Sequence, residues 1–211
     1  MITAVILVSG RGSNLKALLE ADLPIRVGAV IGNNPQAEGL ALARQRNIAT
    51  EVVDHRDHPY REDFDGALAA AIDARQPDLV LLAGFMRVLT PGFVTRYRGR
   101  LLNIHPSLLP AFPGLRTHRQ ALQAGVKIHG CTVHFVTPQV DQGPIVVQAA
   151  VPVLPDDTEE TLAARVLEQE HRIYPLAVRW FAEGRLTLQE NHALLKDGYA
   201  PLDALVNPSG S

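Results

Sequence analysis

Short, almost wholly apolar runs alternate with amphipathic stretches through the first half of the chain. Residues 2–8 read ITAVILV, rich in β-branched side chains and closed by Ser9-Gly10. A run that is apolar at nearly every position, rather than every second one, predicts a strand covered on both faces, as in a parallel sheet. Residues 14–20 then place Leu15, Leu18 and Leu19 at helical spacing. The alternation repeats, with strands predicted over 25–31, 50–53, 79–83 and 101–104 and helices over 39–46 and 61–74. In the last of these Phe64, Leu68 and Ile72 stand four apart. Strand–helix alternation of this kind predicts an α/β fold, a mostly parallel open sheet with helices on both faces.

The second half has a different rhythm. Residues 106–113 hold Pro106, Pro110 and Pro113 and predict an irregular loop. Residues 131–136 and 145–153 are apolar and β-rich, separated by a turn-rich stretch, and predict a long antiparallel hairpin. Asp157-Thr158-Glu159-Glu160 opens a long helix, because Asp157 or Thr158 can cap it and the acids suit its dipole. That helix carries Leu162, Val166, Leu167 and Ile173 towards Gly184, and Pro175 is expected to kink or restart it.

Length and composition narrow the class. A chain of 211 residues, 46% hydrophobic and 20% charged, is ordinary for one globular domain, expected over 1–195 with a flexible C-terminal tail over 196–211. Twenty basic residues nearly balance twenty-two acidic ones, so no global basic field points to nucleic acid or an anionic membrane. The single cysteine, Cys131, excludes an intramolecular disulfide, fits a cytoplasmic setting and reads best as a buried strand residue. No apolar stretch reaches membrane-spanning length.

Two segments carry candidate chemistry. Ser9-Gly10-Arg11-Gly12-Ser13-Asn14 lies between the first strand and its helix. Glycines there allow close backbone approach, and the helix N-terminus offers free N–H groups to a phosphate, with Ser13 and Asn14 as further donors. The alternative is a tight turn capped by Ser13 or Asn14. The segment fits neither the dinucleotide fingerprint, whose third glycine is replaced by Leu15, nor a P-loop, whose Gly-Lys-Ser/Thr ending is missing. Further on, Asn103 and His105 are two apart in the fifth strand and project together at its carboxyl end, the edge where ligands bind in open α/β sheets. An amide beside an imidazole suits acyl transfer: the amide holds a tetrahedral oxyanion, and the imidazole donates to it or passes on a proton. Of the scattered histidines His55, His58, His118, His129 and His134, none has tight metal-ligand spacing, and His118 and His134 are expected nearest the site.

The string Asn103-Ile104-His105-Pro106-Ser107-Leu108-Leu109-Pro110, with Pro113-Gly114 after it and Asp141-Gln142-Gly143-Pro144-Ile145 downstream, resembles the signature of folate-dependent formyltransferases. The likeness runs from Ser9 to Pro175. It implies a Rossmann-like formyltransferase core with an antiparallel C-terminal portion, acting in one-carbon metabolism and purine biosynthesis. It also implies 10-formyltetrahydrofolate as co-substrate, no metal, and the amine of phosphoribosylglycinamide as acceptor. Matched residue by residue, Asn103, His105 and Asp141 take the catalytic positions. Gly12, Ser13, Asn14 and Leu15 take the substrate phosphate-binding positions, and Glu170 a position that holds the acceptor's ribose or amine. Arg61, Phe85, Met86, Arg87, Val88 and Leu89 fall in the folate pocket, and Leu109-Pro110 at a cis peptide bond. Departures stand at Arg11, Ala111-Phe112 and Gln142. The partners implied are small molecules, with a monomer or homodimer. Alternatives are a formyltetrahydrofolate hydrolase, another formyltransferase on the same core, or a non-catalytic phosphate-sugar binding module, which would leave Asn103, His105 and Asp141 without purpose.

Overall fold

The first strand, β1 (Ile2–Val8), is the centre of the molecule, and every residue from Thr3 to Val8 is buried. Its alternate side chains enter two separate cores: Ala4, Ile6 and Val8 on one side of the sheet, Val5 and Leu7 on the other. The computed structural model describes residues 1–196. After β1 come α1 (Ser13–Glu20), β2 (Ile25–Gly32), α2 (Glu38–Gln45), β3 (Thr50–Val52), α3 (Arg61–Asp73), β4 (Leu79–Leu82), α4 (Pro91–Arg96) and β5 (Leu101–His105). Then follow α5 (Thr117–Ala124), β6 (Ile128–Phe135), β7 (Ile145–Pro152), α6 (Glu159–Ala182), β8 (Leu186–Gln189) and β9 (His192–Leu195).

Seven strands form one sheet in the order β3-β2-β1-β4-β5-β6-β7. Strands β1 to β5 are parallel, and β6 and β7 run antiparallel to their neighbours. The α/β fold with an antiparallel C-terminal portion is therefore present as the pattern predicts. The first core receives side chains of α1, α2 and α6, and the second those of α3 and α4. Strand order reverses at β1, which has β2 on one side and β4 on the other, so the loops after β1 and β4 leave from the switch point where open α/β sheets bind ligands. Cys131 is fully buried on β6, and burial pushes its thiol up to about 12, which leaves it protonated and unreactive.

Three features differ from the apolar pattern. Helix α6 runs through Pro175 without restarting. A proline forfeits the hydrogen bond to the carbonyl four residues back and crowds that carbonyl. Around it, buried Ile173, Tyr174, Ala177 and Val178 hold both halves against the sheet. Helices α4 and α5 are additional. The six residues of α4 are too few to show a period, although Thr90 caps it and Pro91 stands at its start. The third addition is the β8–β9 hairpin, whose turn uses Glu190 at φ 52 instead of the Asn-Gly or Asp-Gly pair that marks such turns in a sequence. Lys196 N donates to Arg185 O, so the first residue of the expected tail is held by the fold, and the rest of that expectation lies outside the described residues. Among the described residues no helix is long and apolar enough to cross a membrane.

Candidate active site

Parallel pairing places Leu7, Leu82 and Asn103 side by side on β1, β4 and β5. The loops that follow these strands therefore crowd one edge of the sheet. There a cavity of about 390 Å³ opens. Asn103, His105, His134 and Asp141 supply its polar wall, and Phe85, Met86, Val88, Leu89, Val94, Leu115 and Val140 its apolar one. An apolar slot with a few converging polar groups suits a flat, largely apolar ligand whose reactive atom is held at one end.

At the polar wall, His105 Nδ1 lies 3.5 Å from Asp141 Oδ1, and both side chains are almost wholly buried. His105 Nε2 donates to the carbonyl of Phe112 at 3.1 Å. The other oxygen of Asp141 accepts from Gly114 N at 2.8 Å, which ties the 106–116 loop to the acid. Asp141 itself sits at φ 55, the left-handed region. Two residues on, Gly143 packs so tightly that a Cβ there would stand 1.7 Å from Phe135 O. The Asp-Gln-Gly-Pro string is thus a device for laying the acid against the end of β6. Leu109-Pro110 is cis, as the resemblance implies.

His134 joins this group and was legible only as a neighbour of the site. It pairs with Asn103 across β5 and β6, and Asn103 Nδ2 donates to its Nε2 at 3.2 Å. Its Nδ1 donates to Phe135 O at 3.0 Å, so Nε2 carries the lone pair. Burial holds the His134 pKa below its ordinary value and outweighs the pull of Asp141, 3.9 Å away. His118 also lines the cavity, and its Nδ1 lies 3.3 Å from His129 Nε2. Burial pushes His129 down to about 4 and His118 down in the same direction. The wall residues Leu115 and Val140 carry no sequence signal of their own, because the proline loop and the turn before β7 fold irregularly.

The glycine loop lies on the neighbouring part of the edge. Gly12 takes φ 77 and would meet Gly39 Cα at 2.7 Å if it bore a Cβ, so a glycine at position 12 is needed for α1 and α2 to start side by side. No side chain caps α1, and its first helical bond runs from Lys16 N to Gly12 O at 2.8 Å. The amides of Ser13, Asn14 and Leu15 precede that bond and point out of the helix start. Two expectations change here. The Leu15 side chain is fully buried in the core, so only its amide can face a ligand. The Asn14 amide nitrogen is held by Glu170 Oε2 at 2.7 Å, and Asn14 Oδ1 is buried without a partner. Burial pushes the Glu170 carboxyl up, opposed in smaller part by the Asn14 bond. One turn further along α6, the Tyr174 hydroxyl lies 3.1 Å from Leu82 O and 3.2 Å from Leu102 O, which anchors α6 beneath the site. Phe85, Met86, Arg87, Val88 and Leu89 all line the cavity, whereas Arg61 is exposed at the start of α3 and outside its wall.

Residues 2–178 match the family model described as formyl transferase. The chain belongs to the formyl transferase family. It is 52% identical over 195 residues to the phosphoribosylglycinamide formyltransferase of Escherichia coli (strain K12), covering 90% of this chain and 92% of that one. Its fold superimposes with a TM-score of 0.90 on the crystal structure of glycinamide ribonucleotide transformylase 1 from Symbiobacterium toebii, at 51% identity over 93% of this chain and 95% of the other. A formyltetrahydrofolate deformylase from Pseudomonas syringae pv. tomato shares the core more distantly, with a TM-score of 0.87 and 28% identity over 93% of this chain and 66% of that one. The two names attach transfer and hydrolysis to one scaffold.

Proposed function

We propose that this formyl transferase moves the formyl group of 10-formyltetrahydrofolate to the amine of phosphoribosylglycinamide, a step of purine biosynthesis. The observation that carries the reading is the convergence of Asn103, His105 and Asp141 at the end of an apolar cavity beside an uncapped helix start. The named relatives at about half identity support it.

The donor's flat ring system fills the apolar slot between residues 85–89 and Val140, and the phosphate of the acceptor meets the amides of Gly12, Ser13, Asn14 and Leu15. Glu170 and Asn14 hold the ribose or amine. The acceptor nitrogen attacks the formyl carbon, and the carbonyl oxygen takes the negative charge. Asn103 Nδ2 keeps one hydrogen on His134 and offers the other to that oxygen. Protonated His105 donates to it as well, exchanging the Phe112 carbonyl for a stronger acceptor. Asp141 balances the imidazolium charge and orders a water, which carries the proton from the attacking amine to N10 of the folate. The bond between the formyl carbon and N10 then breaks, leaving formylated acceptor and tetrahydrofolate. Both substrates are small and soluble, consistent with a cytoplasmic enzyme acting as a monomer or homodimer.

The absorbance change of the folate on mixing donor, acceptor and protein tests this. Turnover is expected only with the acceptor present, and His105→Ala and Asp141→Ala should each slow it by orders of magnitude while remaining folded. Near-normal single-turnover rates in both variants would remove these residues from the chemistry. The deformylase-like core makes hydrolysis the second reading, and turnover without acceptor would select it.

A further inference from the structure

The loops after β1 and β4 diverge to opposite faces of the sheet at the switch point, yet one side chain joins them. Ser9 Oγ accepts a hydrogen bond from Met86 N at 2.7 Å and donates to Asn33 Oδ1 at 2.6 Å. The Ser9 backbone amide adds a bond to Gly84 O at 3.2 Å. Asn33 is itself buried at the end of β2, and its carbonyl accepts from His55 Nδ1 at 2.8 Å. Ser9 is thus fixed from behind by Asn33 and holds Met86 in front.

The two segments so joined are the two halves of the site. Ser9 leads directly into Gly10 and Gly12 of the phosphate loop. Met86 lies in the strap 84–90 that walls the donor cavity. That strap is secured at its far end by buried Asp65, whose Oδ2 accepts from Thr90 N at 2.6 Å. Among the described residues, no backbone–backbone hydrogen bond involves residues 85–89. Its position therefore depends on its two ends, on buried Phe85 and Leu89, and on Arg87, whose guanidinium lies over the Phe64 ring. A segment held at so few points takes its geometry from those points.

We propose that Ser9 is a positioning residue that couples the two substrate subsites, its hydroxyl transmitting order between the phosphate loop and the donor strap. The inference rests on the formyl-transfer reading for the identity of the two ligands. Binding of acceptor phosphate restrains the loop at Gly12, and Ser9, pinned between Asn33 and Met86, passes that restraint to the strap. Ser9 then holds Met86 N where the donor cavity needs it, so less ordering remains to be done when the donor binds. Linkage makes the effect reciprocal: the donor tightens the acceptor by the same factor.

The test uses tetrahydrofolate and phosphoribosylglycinamide, which have no formyl group between them and cannot react. Calorimetric titration of tetrahydrofolate, with and without saturating phosphoribosylglycinamide, gives the coupling factor directly. The wild type is expected to show about fivefold or greater tightening. In Ser9→Ala the factor falls to about one, while either ligand alone binds within a few-fold of the wild type. Ser9→Thr keeps the hydroxyl and restores the factor. A factor preserved in Ser9→Ala, or a factor of one in the wild type, overturns the proposal. Weakening of both ligands with the factor intact would show a merely structural role and overturns it equally. If wild-type protein binds neither ligand, the functional reading itself has failed, which is a separate outcome.

Discussion

The amide nitrogen of Asn103 lies 3.2 Å from Nε2 of His134, its direct partner across the β5–β6 ladder. A side-chain amide can turn over to exchange its oxygen and nitrogen, and only one orientation presents a donor to the cavity. The bond of His134 Nδ1 to Phe135 O leaves Nε2 as an acceptor, so it accepts the amide nitrogen and rejects the oxygen. The histidine thus selects the orientation that Asn103 needs. His134→Phe keeps a planar ring and removes the acceptor. We expect kcat to fall about tenfold, less than the ~10²–10³-fold expected for deleting the donor in Asn103→Ala. Both Michaelis constants should change little. Steady-state kinetics on the two variants checks this, and an unchanged kcat in His134→Phe would break the link.

Gly143 has no room for a side chain. A Cβ would meet Phe135 O at 1.7 Å and His134 Nδ1 at 3.2 Å. Gly143→Ala must therefore push the 137–144 turn away from β6 and carry Asp141 off His105. We expect activity to drop by at least ~10²-fold, since a misplacement of about 1 Å can cost that much. The thermal midpoint should fall by only a few degrees, because the turn lies outside both cores. Activity assay beside a melting curve separates the two effects.

Tyr174 is fully buried, and its hydroxyl reaches carbonyls on two adjacent strands. Tyr174→Phe removes that donor with little change of shape. The loss should be about 1–2 kcal/mol of stability, measured by urea denaturation. Because α6 also carries Glu170 one turn away, the acceptor Michaelis constant should rise more than that of the donor. An equal rise in both would separate Tyr174 from the acceptor subsite.

Much of this arrangement was legible in the chain, and what was not has a physical pattern. Strands β1 and β4 show themselves because a strand covered on both faces must be apolar throughout, as residues 2–8 are. The pairing of β5 with β6 was not legible, since a hairpin pattern joins neighbours in sequence and β6 has β7 for that. His134 consequently read only as a neighbour of the site, although that pairing sets it opposite Asn103. The role of Asn14 was hidden in the same way. Its partner Glu170 is far away along the chain, and only the docking of α6 beside α1 brings them together. Asp141 stood out through the Asp-Gln-Gly-Pro string, whose meaning is steric and appears once Phe135 O is placed.

His129 is buried and held neutral, with its pKa pushed down to about 4. An unfolded chain regains the ordinary value near 6.5. Between those values the unfolded state binds more protons than the folded one, so stability falls as pH drops from about 6.5 to about 4. The contribution is at most about 3 kcal/mol. His129→Phe should flatten that part of the curve of urea midpoint against pH. A slope equal to that of the wild type would assign the acid sensitivity to other groups.

On the proposed function, the site delivers its formyl group to an amine. A single-turnover experiment with formyl-labelled 10-formyltetrahydrofolate, quenched and analysed by mass spectrometry, tests this most directly. The label should appear on phosphoribosylglycinamide in step with tetrahydrofolate formation, and neither product should form without the acceptor. Label released as formate at the same rate whether or not the acceptor is present would contradict it.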